Sequence, residues 1–209
     1  MTMAKAARPA PYSVDIQLEP QTVERNRLTV GFRLILAIPH ELLVASSNFG
    51  GSFGVNGALG AVALVCAVIS WFAIVFTGRE PRGLWDLRAF YMRWRLRAMA
   101  YIVLLRDEYP PFGDGDYPAT LAMDWPDQPR DRLSVGLRPI YAIPHIILLV
   151  FLFIAATVCA IIGWFAILFT GRMPQGLALF IRNVLRWGTR LEAYLLLLRD
   201  EYPPFSLSE

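Results

Sequence analysis

A segment of fourteen residues occurs twice in this chain and constrains its fold more than any other feature. Residues 71–84 read WFAIVFTGREPRGL and residues 164–177 read WFAILFTGRMPQGL, so 11 of 14 positions are identical. A second pair of segments, residues 25–40 and 130–145, matches at 11 of 16 positions. Long segments that recur in the same order indicate repeated structural units. We therefore predict two halves with the same fold.

The composition places the repeated unit in a membrane. Apolar residues make up 56% of the chain and charged residues 18%, against about 25% charged residues in soluble domains. Residues 34–78 and 139–171 contain no Lys or Arg, and arginines flank both ends of each run. Because Lys and Arg favour the cytoplasmic side, we prefer a hairpin that returns both ends to the cytoplasm. It predicts four membrane spans, at residues 28–46, 57–77, 132–151 and 152–170.

The second pair of predicted spans is short. Each would have about 20 residues or fewer, near the lower limit of about 17 for crossing a bilayer. The alternative is a single span over residues 146–169, with the segment before Pro144 lying in the membrane interface. The distribution of arginines favours the hairpin over this alternative.

Two further elements complete each half. Residues 12–20 and 117–126 alternate apolar and polar side chains, which predicts short strands, and we expect these two strands to pair. Residues 84–105 and 177–198 combine an apolar face with regularly spaced arginines. This pattern is typical of an amphipathic helix in the headgroup layer, where arginines reach lipid phosphates.

The predicted fold class is therefore an all-α integral membrane protein with an internal duplication. Each half is a membrane helical hairpin plus an interfacial amphipathic helix, with one short N-terminal β-strand. Twelve residues, SSNFGGSFGVNG at positions 46–57, are an insertion in the first half and predict a water-exposed loop. The predicted divisions are a disordered tail at residues 1–11, a first membrane repeat at 12–112, an acidic linker at 113–116 and a second membrane repeat at 117–209.

Arginines supply the main candidate site. Those of the amphipathic helices and of the two Gly-Arg-x-Pro turns are candidates for binding lipid headgroups. They are Arg79, Arg82, Arg93, Arg97, Arg172, Arg182, Arg186 and Arg190.

Arg33 and Arg138 lie inside the first predicted span of each half, where an unpaired charge is costly. Each half also ends in LLRDEYPPF, with acidic residues at a helix C-terminus, an unfavourable position for them. An ion pair between the two would account for both features. We expect Arg33 and Arg138 to pair with Asp107 or Glu108 and with Asp200 or Glu201, within a half or across the repeat.

His40 and His145 are the only histidines and occupy matched positions after Ile-Pro. If they meet at the pseudo-two-fold axis, they could bind a metal or carry protons, but two histidines form an incomplete ligand set. The favoured interpretation is that each bonds a carbonyl that the preceding proline leaves free. We expect no metal site, no catalytic residues and no cofactor.

The segments RNRLTVGFRLILAIPH, WFAIVFTGREPRGL and EYPPFSL resemble those of a family of bacterial, largely actinobacterial, membrane proteins of unassigned function. Family members look like RNRLTxFFRLILAIPH, WFAILFTGRxPRGL and YPPFSL. This chain departs from them in the insertion and in Pro139, which replaces a leucine. The resemblance implies a membrane location and no activity. We expect a multi-pass protein of the bacterial inner membrane with both termini cytoplasmic, since the N-terminus lacks the apolar core of a signal peptide.

The predicted function is a non-catalytic accessory or scaffold protein that binds anionic phospholipid and a partner protein through an Arg-rich cytoplasmic face. The alternative is a lipid or small-solute transporter with a site between the halves, near His40 and His145. An enzyme ranks third, because nucleophile and metal-ligand motifs are missing from the sequence. The pI of about 9.1 is not accompanied by any nucleic-acid-binding motif, so we expect no nucleic acid partner.

Overall fold

The computed structural model describes residues 13–45, 57–126 and 130–207. The predicted tail and most of the predicted insertion lie outside these residues. Helices predominate, and two short strands complete the fold. In chain order the elements are β1 (Asp15–Leu18), α1 (Arg27–Gly31), α2 (Arg33–Val44), α3 (Ala58–Thr77), α4 (Arg82–Ile102), β2 (Ala119–Ala122), α5 (Arg132–Thr170) and α6 (Gln175–Leu195).

The two strands pair with each other, which confirms the prediction from their alternating pattern. β1 and β2 are antiparallel, with Ile16 opposite Leu121 and Leu18 opposite Ala119. These four side chains are buried and join the main hydrophobic core. The sheet therefore links the two halves through main-chain hydrogen bonds and a shared apolar face.

The hairpin predicted for the second half is wrong. α5 runs for 39 residues without interruption from Arg132 to Thr170, so residues 132–151 and 152–170 belong to one helix. Pro139 and Pro144 are accommodated inside it, and no residue after Pro144 forces the chain to turn. At 1.5 Å per residue α5 is about 58 Å long, roughly twice the thickness of a hydrocarbon core.

The first half follows the same course with an interruption. In the repeat, Ala45 and Ala58 are equivalent to Val150 and Phe151, which are neighbours inside α5. The Gly57 N–H donates to the Ala45 carbonyl at 2.9 Å, so the ends of α2 and α3 meet. The predicted spans 28–46 and 57–77 thus correspond to a helix like α5 that the insertion divides.

The two halves contact each other reciprocally. The Trp71 indole N–H donates to the Val135 carbonyl at 3.0 Å, and the Trp164 N–H donates to the Val30 carbonyl at the same distance. We call the contact between α1 and the end of α5 the first junction. The contact between the start of α5 and the end of α3 is the second junction. At each junction, the start of one half packs on the end of the other.

α4 and α6 lie in the interior, which corrects the prediction that they are interfacial helices. Thirteen of the 21 residues of α4 and eleven of the 21 residues of α6 are buried. α4 packs on α2 and α3 and on strand β2, and α6 packs on α5. The apolar side chains of these helices are covered by protein on more than one face, so their arginines are partly internal.

The outer faces of the long helices are exposed and apolar. Phe76 at the end of α3 is 71% exposed, and Phe169 at the end of α5 is 77% exposed. Similar side chains continue along each helix. They include Leu34, Leu42, Val65, Ile69 and Phe72 in the first half and Ile140, Ile147, Phe151, Ile154, Ile161 and Phe165 in the second. Contiguous apolar surface of this extent marks contact with a membrane or a partner.

Candidate functional site

A buried guanidinium fixes α2 to the C-terminus of α4. Arg33 is 1% exposed, and its Nη1 donates to the carbonyls of Tyr101 at 2.8 Å and Arg106 at 2.6 Å. Its Nη2 donates to Asp107 at 2.5 Å, and its Cζ lies 4.3 Å from the centre of the Tyr101 ring. Helix C-termini expose carbonyls without partners and carry partial negative charge, so a cation stabilises them.

The second half repeats this arrangement. Arg138 donates to the carbonyls of Tyr194 and Arg199, both at 2.9 Å, and to Asp200 at 2.6 Å. Each arginine therefore pairs with the aspartate of its own half, not across the repeat. The other predicted partners make different contacts: Glu108 pairs with Arg106, and Glu201 accepts from the Ser13 N–H at 3.2 Å.

Asp107 accepts hydrogen bonds from several donors. Arg25 donates to it at 2.6 Å and the Asn26 N–H donates at 2.9 Å, in addition to Arg33. Burial by itself raises the pKa of the Asp107 carboxyl, but the hydrogen bonds from Arg25 and Asn26 and the charges of Arg25 and Arg33 outweigh it. The pKa of Asp107 therefore lies below its usual range, and the folded state favours the carboxylate.

The histidines lie in separate aromatic enclosures, one in each half. His40 Nδ1 accepts from the Trp94 indole N–H at 3.0 Å, and His145 Nδ1 accepts from Trp187 at 3.0 Å. The rings stack on Phe112 and Phe205 at centroid distances of 4.5 and 3.8 Å.

These contacts correct both interpretations of the histidines. The rings of His40 and His145 each pack on the Pro-Pro-Phe segment of their own half, so they do not form a pair at the pseudo-axis. Nδ1 of each ring accepts the tryptophan hydrogen bond, and Nε2 makes no hydrogen bond to a carbonyl freed by the proline. Among the described residues, no group of three His, Cys, Asp or Glu side chains could hold a metal ion.

Five of the eight predicted headgroup arginines are held inside the protein or face other groups of the chain. Arg97 and Arg186 are 8% and 7% exposed, and Arg97 donates to the Gly113 carbonyl at 2.8 Å. Arg93 pairs with Asp114 at 3.2 Å, and Arg182 lies 3.9 Å from Glu19. Arg190 is half-buried. A headgroup role for Arg97 and Arg186 is wrong, because burial and the protein around them exclude a lipid phosphate.

The other three, Arg79, Arg82 and Arg172, are exposed and lie at the junctions. A β-carbon on Gly171 would lie 3.4 Å from Arg27 Nε, and one on Gly78 would lie 3.1 Å from Arg132 Nε. The first junction therefore brings Arg27 beside the turn that carries Arg172. The second brings Arg132 beside the turn that carries Arg79, whereas Arg82 begins α4 after that turn, with its Cζ 5.6 Å from the centre of the Trp125 ring.

Sequence reasoning missed Arg27 and Arg132. Their signal was present, because both are the second arginine of a repeated Arg-x-Arg-Leu, and Arg27 begins α1 as Arg132 begins α5. What the repeat could not reveal is that each lies against the Gly-Arg turn of the opposite half.

A cavity of about 520 Å³ lies between the halves. It is bounded by the start of α2, the end of α4, the second part of α5 and the middle of α6. Its lining residues do not include His40 or His145, near which the transporter alternative predicts a site. The residues facing it are almost all apolar, with Arg33 and Thr157 as the exceptions.

Fold and site define a mostly helical protein of two similar halves. Among the described residues, two helices are long and apolar enough to cross a membrane, Ala58–Thr77 and Arg132–Thr170. The chain belongs to the family described as "Domain of unknown function (DUF4389)", which matches residues 52–113 and 132–206. This confirms the resemblance to a family of unknown function, with one match in each half. No curated protein and no solved structure matches the chain.

We predict that the ion pair at Asp107 carries measurable stability. Asp107→Asn leaves Arg25 and Arg33 without a countercharge in a buried position, which should lower the free energy of unfolding by about 3 kcal/mol. The measurement is thermal or denaturant unfolding of the purified protein in detergent. Asp86→Asn, at an exposed position of α4, is the control and should stay within about 0.5 kcal/mol of the wild type.

The loss of stability caused by Asp107→Asn should depend on pH. Since the pKa of Asp107 is lower in the folded state, its contribution is fully present above the unfolded value of about 3.9. It is lost as the pH falls through the folded pKa. The difference between wild type and Asp107→Asn should therefore be constant from pH 8 to 5 and shrink below about pH 4. A difference that is equally large at pH 3 would contradict this assignment.

Proposed function

We propose that this protein is a non-catalytic membrane protein that binds anionic phospholipid at its two junctions and serves as an accessory or scaffold for a partner protein. The observation that carries the proposal is the position of the exposed arginines. Arg79 and Arg172 follow directly after the exposed apolar ends of α3 and α5, where Phe76 and Phe169 lie. A phospholipid presents a phosphate beside apolar chains, and this surface presents the complementary groups in the same order.

The proposed location is the bacterial inner membrane, with several passes and both termini cytoplasmic. Two observations support it. α3 and α5 are long and apolar enough to cross a membrane, and arginines lie at both junctions. Because Lys and Arg tend to stay on the cytoplasmic side, we place both junctions there. Because α5 begins at the second junction and ends at the first, a shared cytoplasmic side requires this helix to bend within the bilayer and return instead of crossing it once.

The proposed location can be checked by cysteine labelling. In a Cys66→Ala, Cys159→Ala background, Arg79→Cys and Arg172→Cys should both resist a membrane-impermeant maleimide in intact spheroplasts and react after permeabilisation. Labelling of either position from outside would contradict a shared cytoplasmic side.

The sheet side of the molecule is the proposed docking face for the partner. Exposed carboxylates lie at both ends of the sheet, with the Glu19 side chain 89% exposed and that of Asp124 99% exposed. Each carboxylate lies within 4 Å of an arginine, Arg182 or Arg199, whose side chain is largely covered. The carboxylates are therefore the exposed charges of this face, which favours a basic partner by charge complementarity. A partner that copurifies equally well with Glu19→Gln, Asp124→Asn and with wild type would contradict this assignment of the face.

A lipid-handling transporter is the second candidate, because a cavity lies between the two halves. A transporter of this kind would bind substrate in that cavity and release it on either side. The scaffold is preferred because the ion pairs of Arg33 and Arg138 fasten the long helices to α4 and α6, which opposes movement of one element past another.

We predict that the junction arginines determine a preference for anionic headgroups. Arg27→Gln, Arg172→Gln should weaken binding of short-chain phosphatidylglycerol at the first junction by at least about tenfold and leave the second junction unchanged, because a hydrogen bond to a charged group contributes roughly 1.5–3 kcal/mol. Binding of short-chain phosphatidylcholine should change much less. The measurement is a calorimetric titration of each lipid into the protein in a neutral detergent.

The matched control removes two arginines that already face carboxylates. Arg93→Gln, Arg182→Gln changes the net charge equally but acts where Asp114 and Glu19 lie nearby. We expect it to keep the affinity for phosphatidylglycerol. Equal losses in the two double variants would mean that total charge, and not the junctions, attracts the lipid.

A further inference from the structure

The cavity between the halves is continuous with the exposed apolar surface. Among its lining residues, Leu34, Ile161 and Phe165 belong to the outer faces of α2 and α5, with exposures of 65%, 54% and 49%. Its deeper walls are apolar residues of α4 and α6, such as Met99 and Val184. A volume of about 520 Å³ is within the range of about 300–1,000 Å³ that ligand sites occupy.

The equivalent space in the other half is filled by the protein itself. At the repeat offset of 93 residues, Ile181 corresponds to Arg88 and Val184 to Tyr91. Arg88 is completely buried and Tyr91 is 2% exposed. Arg88 donates to the carbonyl of Leu196, and the counterpart of Leu196 is Val103, which lines the cavity.

The charged groups around this space differ between the two halves in the same way. Glu80 accepts from Arg88 and Arg130 and its side chain is 1% exposed, whereas its counterpart in the second half is Met173. One half thus carries a buried Glu-Arg-Tyr group where the other carries Met, Ile and Val. The first half therefore fills this space with side chains, whereas the second half leaves it open and apolar.

An apolar void of this size is unfavourable if it stays empty. The side chains around it lose dispersion contacts in proportion to the volume left unfilled, and water gains no hydrogen bonds from an apolar wall. In a membrane the molecules available at the rim are lipids, whose chains match the lining.

We propose that this cavity binds one acyl chain of a membrane lipid, a site separate from the junction arginines. The proposal rests on the membrane location proposed above. The chain enters between α2 and α5 at Leu34 and Phe165 and extends past Ile181 and Val184. Recognition depends on the chain and not on the headgroup, because the lining carries a single charged side chain, Arg33, and that one is paired with Asp107.

Two variants fill the cavity in different ways. Met173→Glu, Ile181→Arg, Val184→Tyr transfers the residues that fill the equivalent space in the first half. Ala160→Phe adds an apolar ring at a lining position and introduces no charge. Ala61→Phe makes the same change at an exposed position of α3 that does not line the cavity, and serves as the control.

The test is native mass spectrometry of protein purified from bacterial membranes and washed with detergent until annular lipid is removed. Wild type and Ala61→Phe should retain one lipid per protein, whose mass distinguishes a phospholipid from a free fatty acid. Both cavity-filling variants should lose it. Retention of that lipid by either filled variant that unfolds at the wild-type temperature, or its absence from wild type, overturns the proposal.

The two proposals fail separately in this measurement. Arg27→Gln, Arg172→Gln should keep one retained lipid, because its cavity is intact, while losing the preference for phosphatidylglycerol at the first junction. The filled variants should lose the retained lipid but keep that preference. A junction variant that loses the retained lipid regardless of headgroup would contradict a chain site independent of the arginines.

Discussion

The structure depends on two guanidinium groups buried at the C-termini of the central helices. Arg33 and Arg138 each bond two backbone carbonyls and one aspartate. A buried arginine without such partners would be strongly destabilising, so each long helix is held in register with α4 or α6. The chain leaves these helices through Leu104 and Leu197, which both have positive φ values. That turn directs the carbonyls toward the arginine and places the aspartate within reach.

Although both halves are held together in this way, they differ from each other in other respects. The first half interrupts its long helix with an insertion, yet α2 and α3 keep the contacts with α4 that α5 makes with α6. One half fills the space between α4 and α6 with Arg88 and Tyr91, and the other leaves the equivalent space lined by Ile181 and Val184. Two halves of similar sequence can thus keep this space closed in one copy and open in the other.

Part of this architecture could be predicted from the sequence. The repeat itself and the strand pairing followed from matched positions, and a pairing of Arg33 with Asp107 or Glu108 followed from charges that needed a partner; the structure selects Asp107. The hairpin prediction was wrong, because the tendency of Lys and Arg to stay cytoplasmic was applied to the two ends of each apolar run before the fold between those ends was known. The amphipathic pattern misplaced Arg97 and Arg186, because an arginine that reaches a lipid phosphate and one that reaches a backbone carbonyl have the same spacing along a helix. The junctions depend on contacts between halves, which spacing within one half cannot reveal.

The central claim is that the start of each half packs against the end of the other. In a Cys66→Ala, Cys159→Ala background, cysteines can replace Gly31 with Leu168 at the first junction and Gly136 with Val75 at the second, where β-carbons on the glycines would lie 3.7 and 4.0 Å from those side chains. A short thiol-specific cross-linker applied to native membranes should join both pairs within one chain. The exchanged pairs, Gly31 with Val75 and Gly136 with Leu168, should stay unlinked. Cross-linking of the exchanged pairs in preference to the matched ones would contradict the account.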